Sequence, residues 1–287
     1  MEQRELGKTG HKSSIITLGG AMYAYTIDEK KGDAFVKYAL DQGVNHIDVA
    51  PTYGDAEIKL GKWIKEYRDN LFLGCKTRKR TKKEAEKELH QSLQHLQTDF
   101  LDLYQFHGLD TKQELETVVG ENGSLQVFIE AKREGLINNI GITSHNPENI
   151  LKALELFDFE TVLLPVNYVL HAHPEPRNDY EPVLRMAKEK NIGVIAMKSI
   201  AKGPYPTNER THNTWYQPFM TPEELDEALR FTLSQPVTTA ASSSDIEIAR
   251  IQIEKAQNFI PMSIDEQKKL IVKASEYKPL FPGSRIF

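Results

Sequence analysis

The chain has 287 residues, a formal net charge of -5 at pH 7, and 39% hydrophobic against 27% charged residues, which describes a globular protein with room for two domains or one large α/β barrel. No run of 18 apolar residues is present to span a bilayer, and residues 1–10 carry charges where a secretory leader needs an apolar centre, so no membrane partner and a cytoplasmic location are expected. A single cysteine, Cys75, excludes an internal disulfide and a cysteine metal cluster, and a slightly acidic chain with no basic run longer than 76–83 argues against nucleic acid.

Turn signals at Gly7-Lys8 and Thr9-Gly10 predict a hairpin within residues 4–14. A first buried strand follows at 15–18, ended by Gly19-Gly20. Ala34, Phe35, Tyr38 and Ala39 at helical spacing predict a helix over 29–42, with Gly43 where a C′ glycine belongs. Residues 44–49 read as the second strand, 55–67 as a helix carrying Ile58, Leu60, Trp63 and Ile64, and 71–75 as the third strand. Thr81-Lys82-Lys83-Glu84 is a capping box opening a helix whose apolar face is Ala85, Leu89, Leu93 and Leu96. Strand 100–106 follows, then a helical region from 111 to 133 interrupted at 120–123. The pattern continues with strand 137–142, helix 147–156, strand 161–166, helix 179–190 and strand 192–197. Thr221-Pro222-Glu223-Glu224 places a capping threonine, an N1 proline and an N3 glutamate in their preferred order and opens a helix to about 233. Strand 237–240, helix 245–258 and a further helix 263–277, capped by Ser263 with Glu266, complete the chain.

Eight strands that alternate with helices imply parallel pairing, and apolar runs without period two imply burial on both faces. The count predicts one domain over 1–287, a closed (β/α)8 TIM barrel with an N-terminal hairpin and an extra C-terminal helix. The alternative is an open nucleotide-binding sheet. That fold needs a glycine-rich strand-to-helix turn, and Gly19-Gly20-Ala21-Met22 is not one. Active sites of barrels lie at the carboxyl ends of the strands.

Those ends carry an unusual set. Asp48 closes strand two and Tyr53 follows one loop later; strand three delivers Lys76, and strand four delivers His107. Each alone has a bland reading: an Asp–Lys salt bridge, a packed tyrosine, an ordinary histidine. Together on one rim they suit carbonyl reduction. A tyrosine with a pKa of about 10 is a poor acid, a neighbouring ammonium stabilises its phenolate, and a carboxylate keeps that ammonium charged. A neutral histidine can orient the carbonyl.

The segments His46-Ile47-Asp48-Val49-Ala50-Pro51-Thr52-Tyr53-Gly54, Gly74-Cys75-Lys76-Thr77 and Tyr104-Gln105-Phe106-His107 resemble the catalytic segments of the aldo-keto reductases, in the same order and at similar spacing. The resemblance runs from the Leu6-Gly7-Lys8-Thr9-Gly10 hairpin to the last barrel helix. It implies a barrel that reduces aldehydes or ketones with NADPH, bound across the carboxyl rim. Tyr53 is then the general acid, Lys76 and Asp48 lower its pKa, and His107 orients the carbonyl of a small-molecule substrate. Cofactor contacts are implied at Gly20, Ala21, Met22, Asp48, Ser144, His145, Asn167, Lys198, Ser199, Ser242 and Ser243. The family often places a lysine, a serine and an arginine after the last strand for the adenosine 2′-phosphate. Here the stretch is Ser242-Ser243-Ser244-Asp245-Ile246-Glu247, where hydroxyls and a helix amino terminus can hold phosphate while Asp245 and Glu247 oppose it. Arg250, one turn on, is the available cation, and NADH is the alternative cofactor.

Other features read simply. His171-Ala172-His173 lacks a third metal ligand and reads as a polar loop, so no metal is expected. Cys75 reads as packing. Trp215, Tyr216 and Phe219, in the long segment 202–220, form either a lid or an apolar plug, and Tyr23 and Tyr25 point to an aromatic pocket. The rival to an enzyme is a nicotinamide-cofactor-sensing regulatory or interaction protein on the same barrel.

Overall fold

A computed structural model describes residues 1–25 and 28–281. The chain opens with an antiparallel hairpin, β1 (Gln3–Glu5) and β2 (Lys12–Ser14). Eight parallel strands then close on themselves: β3 (Ile16–Gly19), β4 (His46–Asp48), β5 (Phe72–Thr77), β6 (Leu101–Phe106), β7 (Ile137–Thr143), β8 (Thr161–Pro165), β9 (Gly193–Met197) and, after the short pair β10 (Ala201–Gly203) and β11 (Gln217–Pro218), β12 (Thr239–Ala241). The neighbour order is β12-β3-β4-β5-β6-β7-β8-β9, so β5 stands across the barrel from β9, and β6 across from β12. Closure leaves no unpaired edge, and β5 and β8 are buried along their whole length.

The helices are α1 (Met22–Tyr25), α2 (Glu29–Asp41), α3 (Ala56–Tyr67), α4 (Lys82–His95), α5 (Lys112–Val119), α6 (Leu125–Glu134), α7 (Pro147–Leu156), α8 (Tyr168–His171), α9 (Glu181–Glu189), α10 (Pro222–Leu233), α11 (Ile246–Gln257) and α12 (Ile264–Ala274). The capping boxes at Thr221 and Ser263 form as their sequences dictate. Residues 120–123 do break the helical region after Thr111 in two: a Cβ on Gly123 would lie 2.0 Å from the carbonyl oxygen of Val118, so the chain reverses where only hydrogen fits. Strand β5 runs two residues beyond the expected 71–75 and takes Lys76 into the sheet. Strand β12 begins two residues later than the expected 237, because Val237 N bonds back to Gln235 O in a turn. The short helices α1 and α8 and the β10–β11 ladder carry too few residues to show a period.

The hairpin packs at the amino end of the barrel. Leu6 joins Phe72, Leu103, Leu163 and Ile195 in one buried cluster. Gly7, at φ 54°, comes so close to β9 that a Cβ would sit 2.1 Å from Gly193 N. A second cluster, holding Tyr168, Tyr216, Phe219 and Phe231, binds α8, α10 and α12 to the long segment before α10. Among the described residues no helix is long and apolar enough to cross a membrane.

Candidate active site

The carboxyl ends of the strands open into a cleft of about 570 Å³. On one side, β4 ends in Asp48 and β5 carries Lys76, both almost wholly buried. Two such charges persist out of water only as a hydrogen-bonded pair, and they are one: Lys76 Nζ donates to Asp48 Oδ2. The same ammonium donates to Val49 O at 3.2 Å and to Tyr53 OH at 3.4 Å, and lies 5.0 Å from the centre of the Tyr53 ring. Asp48 Oδ1 accepts from Gln105 Nε2 at 2.7 Å, so both carboxylate oxygens are engaged. Burial opposes the charge on Lys76, but Asp48, Tyr53 and their hydrogen bonds outweigh it and hold the ammonium above the ordinary lysine range.

Burial pushes the Tyr53 phenol above its usual value. Lys76 is the largest influence in the other direction, and Asp48 itself adds to the rise. The expectation that Lys76 and Asp48 together lower this pKa is corrected accordingly. Only Lys76 favours the phenolate, Asp48 helps solely by keeping Lys76 in place, and in this structure desolvation exceeds both.

His107, just past β6, stacks edge-on against Tyr53 at 5.7 Å between centroids, and its Nδ1 lies 3.3 Å from Thr52 Oγ1. Burial, with the charges of Lys76 and Arg78, depresses its pKa to about 2, so the imidazole is neutral. Its backbone is pinned by Arg80, whose Nη2 donates to His107 O at 2.8 Å and to Gly108 O at 3.0 Å.

The other side of the cleft holds a second polar chain. Asp110 Oδ1 accepts from Ser144 Oγ and from His145 N, while Oδ2 lies 3.0 Å from His145 Nδ1. His145 Nε2 is 3.0 Å from Lys198 Nζ. With Nδ1–H donating to the carboxylate, Nε2 is left to accept from the lysine. Burial lowers the His145 pKa, the Lys198 charge lowers it further, and Asp110 works against both. Burial lowers Lys198 to about 7, with Asp110 opposing. Lys198 sits at φ 58°, a conformation that costs on the order of 1 kcal/mol for a side-chain-bearing residue, and Asn167 Nδ2 holds its carbonyl at 3.0 Å.

Of the expected cofactor positions, Ala21, Asp48, His145, Lys198 and Ser242 line the cleft, together with Gly19 and Ser244. The others do not. The Met22 side chain is in the core. Gly20 is buried against Val49 and donates its N–H to Asp48 O. Ser144 Oγ is spent on Asp110, and Asn167 uses its amide oxygen to cap α8 and its nitrogen on Lys198. Ser199 is buried near Gln252 Nε2, and Ser243 accepts from Asp245 N while its own N–H goes to Gln252. Arg250 is drawn away onto the ring of Tyr38, 4.1 Å from its centre, because a guanidinium gains more from an aromatic face than from solvent. The amino terminus of α11 is also closed to a phosphate: Asp245 Oδ1 accepts from Glu247 N and Ile248 N, and Oδ2 accepts from Asn213 N.

In the long segment Phe219 is buried in the core, Tyr216 is buried yet reaches the cleft wall, and Trp215 is 44% exposed, lines the cleft and has its ring centre 5.2 Å from Lys198 Nζ. Tyr23 turns away from the cleft, its hydroxyl donating to Asp33; the Tyr25 side chain lies outside the described residues. His171 faces the Tyr180 hydroxyl and His173 faces Ala274 O, two different surroundings. Cys75 is buried, its thiol donating to Glu57. Gln105, Asp110 and Arg78 escaped the sequence reading. A signal existed for two of them: Arg78 follows Lys76, and Gln105 precedes His107, by two residues, the spacing that returns an extended chain to the same face.

This chain belongs to the aldo/keto reductase family, whose sequence profile matches residues 15–256. The aldo-keto reductase YhdN of Bacillus subtilis is 32% identical over 222 residues, an alignment covering 71% of this chain and 63% of that protein. An uncharacterized oxidoreductase of the same organism, YqkF, is 26% identical over 217 residues, covering 71% and 66%. The chain therefore spans about two thirds of the curated relatives it matches. The solved aldo-keto reductase AKR11C1 of Bacillus halodurans, in its holo form, superposes with a TM-score of 0.76 over 98% of both chains at 23% identity, which is a likeness of fold.

Proposed function

We propose that the chain reduces an aldehyde or ketone to an alcohol, with Tyr53 as proton donor and a nicotinamide cofactor as reductant. The observation that carries this reading is the three-way engagement of Lys76 Nζ by Asp48, Val49 O and Tyr53 OH. Nothing in simple ligand binding calls for a buried ammonium on a phenol. The cofactor, when bound, supplies hydride to the carbonyl carbon.

The side chains do the remainder. The raised Tyr53 pKa keeps the phenol protonated at neutral pH, so it can deliver its proton to the oxygen as negative charge develops there. The phenolate left behind sits against Lys76, whose charge Asp48 maintains. Neutral His107, its Nδ1 near Thr52, donates Nε2–H to the carbonyl oxygen and orients it. Gly19, Ala21, His145, Lys198, Ser242 and Ser244 are the cleft residues suited to hold the cofactor, with Lys198 the cation for its pyrophosphate. Since Asp245 caps α11 and Arg250 is held on Tyr38, no cation among the described residues is committed to an adenosine 2′-phosphate, and we propose that NADH serves alongside NADPH.

The deciding experiment pairs cofactor titration by protein fluorescence with turnover across a panel of aldehydes. Tyr53→Phe is expected to bind cofactor as the parent does and to lose reduction. Near-parental turnover in that variant overturns the assignment. Tight cofactor binding without turnover by the parent leaves the cofactor-sensing alternative instead.

A further inference from the structure

Among the described residues, the charged ones that line the cleft are Asp48, Lys76, Arg78 and Lys198, with two histidines. Asp48 and Lys76 neutralise one another. Arg78 and Lys198 remain, and Lys198 loses its proton near pH 7 and is joined to Asp110 through His145, so Arg78 is the standing cation of the cleft among the described residues. A low-dielectric cleft lined by one sign of charge concentrates ligands of the other. Lys198 and the cofactor-side residues account for one of these cations. Arg78 is not accounted for.

Its strand of origin differs from that of Lys198. Lys198 follows β9, while Arg78 follows β5, which stands across the barrel. Arg78 comes two residues after Lys76 and so belongs to the wall of Tyr53 and His107. The neighbouring arginines are committed: Arg68 is paired with Asp102 and Arg80 with Glu114. Arg78 is exposed and has no ion pair among the described residues. Its guanidinium lies over Gly108, where a Cβ would be 3.5 Å from Arg78 Nη2 and 3.7 Å from Asp110 Oδ2. Asp110 is nonetheless not its partner, since that carboxylate pairs with His145 and its hydrogen bonds go to Ser144 and His145. The Arg78 charge is felt by both cleft histidines, which it helps to keep neutral. They add no competing cation, and the planar fork of donors is left for a ligand.

We propose that the carbonyl compound reduced here carries an oxyanion, a carboxylate or a phosphate, gripped by Arg78. The carbonyl part of this statement rests on the reductase reading; the anion site does not. A guanidinium matches either group through two parallel N–H donors, which a lysine cannot reproduce.

The test uses matched pairs: succinic semialdehyde against its neutral methyl ester, and glycolaldehyde phosphate against glycolaldehyde. Parent, Arg78→Gln and Arg78→Lys proteins are assayed for kcat/KM, and binding of each compound is measured by calorimetry without reduced cofactor. The expected result is that the parent favours the anionic member of at least one pair by about tenfold or more, the scale of a charge-assisted bidentate contact. The pair that shows it tells carboxylate from phosphate. Arg78→Gln should remove the preference through KM while the neutral member keeps its kcat, and Arg78→Lys should restore part. Equal kcat/KM for charged and neutral members in the parent overturns the proposal, as does an equal loss for both in Arg78→Gln. If nothing is turned over but the parent binds an anionic member selectively and Arg78→Gln does not, the reductase reading fails and the anion site stands.

Discussion

The two walls of the cleft handle buried charge in different ways. On the β4–β6 wall, Asp48 and Lys76 meet in a closed pair, both Asp48 oxygens are engaged, and the lysine is held charged far beyond neutral pH. On the other wall, the Asp110–His145–Lys198 chain, drawn from the loops after β6, β7 and β9, places a neutral imidazole between carboxylate and lysine, and the lysine loses its proton near pH 7. The interposed ring is the difference. It lengthens the separation of the charges, and Coulomb attraction falls with distance, so burial prevails on one wall and ion pairing on the other. The first wall suits a proton donor that needs a constant electrostatic neighbour. The second suits a contact whose strength varies with acidity.

The largest expected effect breaks the first wall at its acid: Tyr53→Phe should lower aldehyde reduction by about 10²–10⁴-fold, the range for removing a positioned general acid, with cofactor affinity unchanged by fluorescence titration. Next is Lys76→Met, which strands Asp48 in the interior. Loss of one partner from a buried pair costs about 3–5 kcal/mol, to be read from denaturant unfolding. The double variant Asp48→Asn with Lys76→Met should recover most of that stability and none of the activity. A larger loss in the double variant than in the single would show that the pair is not the closed unit described.

On the second wall the prediction concerns pH. Lys198 is charged below about 7 and neutral above it, so affinity for an anionic cofactor should fall as pH rises through that value. At pH 8, binding should draw in a proton, visible as a calorimetric enthalpy that depends on the buffer. Lys198→Met should flatten the pH profile and abolish the proton uptake; a profile unchanged in the variant removes Lys198 from the site. The smallest effect is expected at Arg250→Ala. Its cation–π contact is worth about 0.5–1 kcal/mol of stability, and the ratio of NADPH to NADH affinity should stay the same. A selective loss of NADPH binding would return Arg250 to the cofactor site.

The contrast also marks what the sequence discloses. The barrel was legible because eight buried strands and their caps repeat one local grammar: Thr221 and Ser263 announce their helices within four residues. Asp48, Tyr53, Lys76 and His107 could be picked out because each lies at a strand end or in the loop that follows it, and strand ends converge by topology. On the second wall Ser144, His145 and Lys198 were named from their strand ends, but the carboxylate that links them was not. Asp110 reaches Ser144 and His145 across 34 and 35 residues, and no spacing reports such a contact. Arg250 was misplaced for a related reason. Its partner, Tyr38, lies 212 residues away along the chain and diverts it from the rim.

The hairpin at the amino end carries a kinetic consequence. With Leu6 seated among Phe72, Leu103, Leu163 and Ile195, and Gly7 pressed against Gly193, the bottom of the barrel is stoppered. Among the described residues the cleft has no passage through the hairpin end, so a ligand must enter and leave across the carboxyl rim.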